Sequence, residues 1–140
     1  MGYCICLTSS FSFCSSSISL SKSSYSIAIT TVDGGLGTGS NPKELYVAST
    51  AACFISTLTA MIDGKKLPAI SLAVTTNAKE EDNNFSILHH ANIVLSNSAS
   101  STDLEKAQAL VAQADKICVI GNLARKAEVE VSATANITQA

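Results

Sequence analysis

Between Lys43 and Ile62 the chain runs through Ala48, Ala51, Ala52, Cys53, Phe54, Ile55, Leu58 and Ala60, so its middle is nearly all small or apolar. A segment of that length and composition reads as a helix buried on most sides. Whatever fold the chain takes must wrap around it. The flanks agree with a helix. Ser40 or Asn41 can cap it, Pro42 suits a first turn, and Gly64 suits an end. Just ahead, Asp33 to Pro42 holds four glycines and a proline, which marks a loop.

The remaining periodicities supply the partners. Pro68 precedes a strand over about 69–76, and Lys79 to Asn84 reads as a charged turn. Phe85 to Ser96 is a strand with Ile87, Ile93 and Leu95 in one parity. Thr102, Asp103, Leu104 and Glu105 fit a capping box, opening a helix that runs to about Cys118. Its apolar stripe is Leu104, Ala107, Leu110, Val111 and Ala114. Gly121-Asn122 reads as a turn, and 126–134 as a last strand with Ala127, Val129, Val131 and Ala133 on one face. The first thirty residues are Ser-rich yet alternate. Tyr3, Ile5 and Leu7 share a parity, as do Tyr25, Ile27 and Ile29, which favours short half-buried strands. The order of elements predicts an α+β fold in one domain covering residues 1–140.

Composition narrows the function. With 46% hydrophobic and 14% charged residues and a net charge of −2, the chain is neither disordered nor basic. Nucleic acid is therefore not an expected partner. No unbroken run of eighteen apolar residues occurs, so a membrane span is not expected either, and a reducing cytoplasm is the default setting.

Five cysteines at irregular spacing (Cys4, Cys6, Cys14, Cys53 and Cys118) make a poor disulfide framework. None of them stands with histidine at zinc spacing. His89 and His90 would face opposite sides of a strand, so a shared metal is not expected. The glycine loop lacks the Gly-Lys-Ser/Thr ending of a phosphate loop and the spacing of a dinucleotide site. Burial raises a thiol pKa, and only a cation or a helix N-terminus lowers it. Residue type alone thus leaves Cys53 and Cys118 as structural or reactive.

Two blocks carry a resemblance. Gly34-Gly35-Leu36-Gly37-Thr38-Gly39-Ser40-Asn41-Pro42, then Glu44-Leu45-Tyr46 and Ala51-Ala52-Cys53-Phe54, are similar to the signature of the OsmC/Ohr family, the organic hydroperoxide resistance proteins. Ala107 to Val111, Ala114, Cys118, Gly121-Asn122 and Arg125 match its second block. The resemblance spans about residues 34–134, and residues 1–33 match poorly.

It implies an intertwined α+β homodimer with two central helices packed on antiparallel sheet. It also implies a thiol peroxidase acting on organic hydroperoxides. Cys53 would be the peroxidatic nucleophile and Cys118 the resolving thiol, with Glu44 and Arg125 as helpers. The reductant would be a thiol, in one branch a lipoylated protein. No metal or organic cofactor is implied.

The chain departs from the family pattern at its activating groups. It has no arginine before Arg125, Lys43 stands where the family has a glutamate, Asp115 replaces a histidine, and Val119 replaces a proline. Two consequences compete. Lys43 or Arg125 supplies the missing charge, or the chain is a catalytically weak or inactive relative that binds an apolar small molecule.

Overall fold

The structure, a computed structural model, describes residues 2–10 and 42–140. The elements are β1 (Gly2–Ser10), α1 (Pro42–Gly64), β2 (Ala69–Glu81), β3 (Asn84–Leu95), α2 (Ser101–Ile117), α3 (Val119–Lys126) and β4 (Glu130–Gln139). The strands form one sheet in the order β1-β2-β3-β4. The α+β expectation holds. The sheet is antiparallel from β1 to β3, but β4 runs parallel to β3. A parallel neighbour needs a crossover rather than a tight turn, and α2 with α3 provide it.

The β2–β3 hairpin corrects the expected charged turn. Lys79, Glu80 and Glu81 continue β2, and the turn is only Asp82-Asn83, closed by the Glu81–Asn84 pair. Both turn residues have positive φ, 50° and 65°. That is what a two-residue type I′ connection demands, and Asp and Asn tolerate it better than other non-glycine residues.

The cap of α2 lies two residues earlier than expected. The Ser100 hydroxyl accepts from the Asp103 backbone N–H, and the Asp103 carboxylate accepts in return from the Ser100 backbone N–H at 2.9 Å. Aspartate thus closes the box that Glu105 was expected to close. These bonds hold the Asp103 carboxyl below its usual range. At the end of α1, Gly64 is the last helical residue and Lys66 takes the left-handed backbone (φ 52°).

Helix α1 buries Val47, Thr50, Ala51, Phe54, Ile55, Leu58 and Ile62. Phe54, Leu58 and Ile62 pack with Leu72 and Val74 of β2, Ala91 and Ile93 of β3, and Ala107, Leu110, Val111 and Ala114 of α2. Each large side chain removed from water contributes about 1.5–3 kcal/mol. A second cluster, Val47, Ala78, Ile87, Ala124 and Val131, joins α1 and α3 to the sheet.

Helix α1 is nevertheless not buried on most sides. Ala48, Ala52 and Cys53 are half-buried, and Ser56 and Ala60 are exposed. At 23 residues α1 is long and apolar enough, by length and composition only, to cross a membrane, as the core helix of a folded domain also can be. Its buried face lies against the sheet and α2.

Parity on the strands is as read. Ile87, Ala91 and Ile93 face the core on β3, and Val131, Ala133, Ala135 and Ile137 do so on β4. In β1, Tyr3, Ile5 and Leu7 pair in register with Ala78, Thr76 and Val74, all buried residues of β2. The glycine loop, Cys14 and the alternation around Tyr25 lie outside the described residues.

Candidate functional site

Cys53 and Cys118, far apart in sequence, meet at the junction of α1 with the C-terminal end of α2. Both are free thiols. Cys53, in the middle of α1, is half-buried, whereas Cys118 is 1% exposed. Cys53 packs against the core cluster that includes Cys118, close enough to influence the Cys118 thiol. Burial pushes the Cys118 thiol up to about 11. The backbone N–H of Gly121 opposes that rise, and the neighbouring Cys53 adds to it. At neutral pH Cys118 is therefore a buried, protonated thiol beside a more accessible one.

Local backbone explains where Cys118 stands. Its φ/ψ of −61°/113° breaks the helix, so it ends α2 and caps α3 at once. Its N–H bonds Ala114 O at 2.9 Å, and its Sγ accepts from Gly121 N–H at 3.5 Å. Gly121-Asn122, expected as a turn, lies inside α3, and the last strand begins at Glu130 rather than near Lys126. The turn falls instead at Ala127-Glu128, where Glu128 has φ 63°.

Of the remaining expected site residues, Arg125 is brought near Cys118 and Glu44 is not. Arg125 Nη1 donates to Asp115 O (3.0 Å) and Asn122 Oδ1 (2.9 Å), and Nη2 to Asp115 Oδ1 (2.6 Å) and Val131 O (3.0 Å). Gly121 separates this guanidinium from Cys118. A Cβ there would stand 3.5 Å from Cys118 Sγ and 3.7 Å from Arg125 Nη1. Glu44 is in the first turn of α1, where a negative charge favours the helix N-terminus. At 1.5 Å per residue it lies about 13 Å along the axis from Cys53. Lys43, weighed as a source of positive charge, forms an ion pair with Glu80 at the far end of β2.

One buried side chain next to this site was not placed by the sequence reading. His89 is fully buried, its ring stacked on Phe54 with centroids 4.7 Å apart and planes 6° from parallel. Its Nδ1 bonds Thr76 Oγ1 at 2.8 Å. Burial lowers its pKa to about 4, with Asp115 opposing the shift and Arg125 adding to it. Phe54 directly follows Cys53, so this stack braces the turn of α1 that presents the thiol. The available signal was parity, since Thr76 and His89 share the faces of Val74 and Ile87. His90 points the other way, to Thr134 at 2.8 Å.

The sequence profile of the family described as OsmC-like protein matches residues 35–134. The chain belongs to the OsmC-like family. Among curated proteins, this OsmC-like chain is 30% identical over 117 residues to the uncharacterized protein YmaD of Bacillus subtilis (strain 168), covering 80% of this chain and 77% of that one.

Solved structures agree on the fold. A protein of Vibrio cholerae assigned to organic hydroperoxide resistance, with captopril bound in one of its active sites, is 27% identical. Its TM-score is 0.58, over 76% of this chain and 73% of that one. An organic hydroperoxide resistance protein OsmC of Legionella pneumophila superposes with a TM-score of 0.59 at 24% identity, covering 81% and 80%. An OsmC-like protein of unknown function, also from Vibrio cholerae, reaches 0.63 over 97% and 99% at 15% identity, and so speaks for the fold alone.

Proposed function

We propose that the chain is a thiol peroxidase for organic hydroperoxides, with Cys53 as nucleophile and Cys118 as resolving thiol. The observation that carries this reading is the asymmetric pair: two neighbouring free thiols, one half-buried and one fully buried and protonated. The Cys53 thiolate attacks the O–O bond, which breaks to give a Cys53 sulfenic acid and an alcohol. Cys118 then gives up its proton as its sulfur attacks Cys53 Sγ, and water leaves as the disulfide closes. A dithiol restores both thiols by exchange and leaves as its own disulfide, a role a lipoylated protein would fill. The apolar surroundings of Cys53, including Phe54 and Leu58, suit a hydrophobic peroxide.

We place the reaction in a homodimer, because a second copy would cover the open side of α1 along Ala48, Ala52 and Ser56. A reducing compartment such as the cytoplasm keeps the resting thiols free.

A second reading, an OsmC-like protein that binds an apolar small molecule without turning over peroxide, has one observation in its favour. The two cations weighed as activators are engaged away from Cys53, Lys43 with Glu80 and Arg125 with four oxygens.

Cumene hydroperoxide consumption with a dithiol reductant separates the two. The peroxidase reading expects turnover by the wild type, loss to the uncatalysed background in Cys53→Ser, and no sustained disulfide cycle in Cys118→Ser. Equal background rates in all three proteins would leave only the binding reading.

A further inference from the structure

We infer that Arg125 is a positioning residue for disulfide closure: it clamps the elbow between α2 and α3 on which Cys118 stands. The inference rests on the reading of Cys118 as the resolving thiol and adds how that thiol is held.

The need for a clamp follows from helix ends. The last four carbonyls of α2 have no partner within the helix. Ala114 O is taken by the Cys118 N–H. The next two are taken by side chains of α3. Asp115 O accepts from Arg125 Nη1 at 3.0 Å, and Lys116 O accepts from Asn122 Nδ2 at 2.9 Å. Asn122 and Arg125 are also bonded to each other at 2.9 Å. The Asp115 carboxylate and Val131 O complete the set, so one guanidinium joins α2, α3 and β4.

Each amino group of Arg125 makes two of these bonds, which uses all four of their N–H donors. No donor on them remains to aim at a sulfur, and the role left to the side chain is geometric. A lysine has no planar fork and could keep the Asp115 ion pair without the rest.

Closure demands such geometry. Bridged cysteines have Cα atoms about 4.4–6.8 Å apart and a narrow range of Cβ–S–S–Cβ angles. Cys53 packs against the core cluster that holds Cys118. The Cys118 backbone is the single non-helical step between two helices, so freedom at that elbow would translate directly into loss of aim.

Ellman's reagent tests this without any peroxide, in a full-length background carrying Cys4→Ser, Cys6→Ser and Cys14→Ser. Cys53 attacks the reagent, releasing one thionitrobenzoate and leaving a mixed disulfide. Cys118 then attacks Cys53 Sγ, loses its proton and expels the second thionitrobenzoate. Two phases of colour report the two steps. In Arg125→Ala the first phase should be unchanged and the second slower by about tenfold or more, since small misplacements of reacting atoms cost rate steeply. Arg125→Lys should fall between the two. Asn122→Ala, which keeps the Asp115 ion pair and removes the cap on Lys116 O and the bond to Arg125, should slow the second phase in the same direction, and it serves if Arg125→Ala does not fold.

Equal slowing of both phases, or no slowing of the second in any variant, would overturn the clamp. A wild type with no second phase would overturn it together with the resolving role of Cys118. Normal closure in a wild type that ignores hydroperoxide would sink the peroxidase reading and leave the clamp standing.

Discussion

Replacing Phe54 with alanine is expected to destabilise the protein by about 4 kcal/mol, the largest single-residue effect on stability anticipated here. Phe54 is fully buried and belongs to the main core cluster with Leu58, Ile62, Leu72 and Ile93. Its removal leaves a cavity that α1, fixed on both the sheet and α2, cannot close. It also strips the stacked partner from His89. Urea unfolding at fixed protein concentration checks the value. Phe54→Leu, which refills most of the space, should recover more than half of the loss. A loss under about 1 kcal/mol for Phe54→Ala would mean that the site collapses around the gap, and that α1 is not held as described.

Acid is expected to weaken the fold through His89. In the unfolded chain the imidazole takes up a proton below its ordinary value of 6.5, whereas the folded protein resists until about pH 4. Between those values the unfolded state binds more protons, so each step down in pH favours unfolding. Above pH 6.5 both states are neutral there and the effect vanishes. At about 1.4 kcal/mol for each pH unit between the two values, the loss approaches about 3 kcal/mol near pH 4.

Desolvation is the main cause of the low value. The Asp115 carboxylate works against it, and the Arg125 guanidinium with it. His89→Gln removes the titrating ring while keeping a group that can bond Thr76. Chemical denaturation from pH 7.5 down to pH 4 should show a flatter decline for the variant than for the wild type. Parallel declines would show that other groups carry the acid sensitivity.

How much of this was legible in the sequence depended on whether the signal was local. The apolar run of α1 and the alternation of β3 are set by burial patterns that any packed arrangement must respect, and both elements stand close to where they were expected. The error over α1 is instructive. Small residues such as Ala48, Ala52 and Ala60 look buried from composition, but within one chain only the face bearing Phe54, Leu58 and Ile62 meets the sheet. Composition could not say what lies on the other face.

The Lys79–Glu81 segment failed for a different reason. Its charges suggested a turn, yet β2 continues past the core to its hairpin, and strand residues beyond the core need not be apolar. The α2–α3 elbow failed because Gly and Asn are strong turn formers locally. Here the tertiary use of Asn122 and Arg125 to cap α2 outweighs that preference. Parallel pairing of β4 was likewise invisible, since periodicity fixes which side faces the core and not the direction of the strand.

The site divided along the same line. Cys53 and Cys118 were named through the resemblance alone. Neither spacing nor composition pairs two cysteines on different helices, and it is the packing of α1 on α2 that brings them together. Arg125 was expected to help by supplying positive charge, and nothing in the sequence signalled the four oxygens that its guanidinium binds. His89 was read only as facing the opposite side of its strand from His90. Its stack beneath Phe54 depends on a strand-to-helix contact that no local pattern encodes.

The most direct test of the central claim is the intact mass of the reduced protein after treatment with one equivalent of cumene hydroperoxide. The account predicts a wild type lighter by two hydrogens, a Cys118→Ser protein heavier by one oxygen, and a Cys53→Ser protein unchanged. A Cys53→Ser protein that is oxidised as fast as the wild type would contradict it.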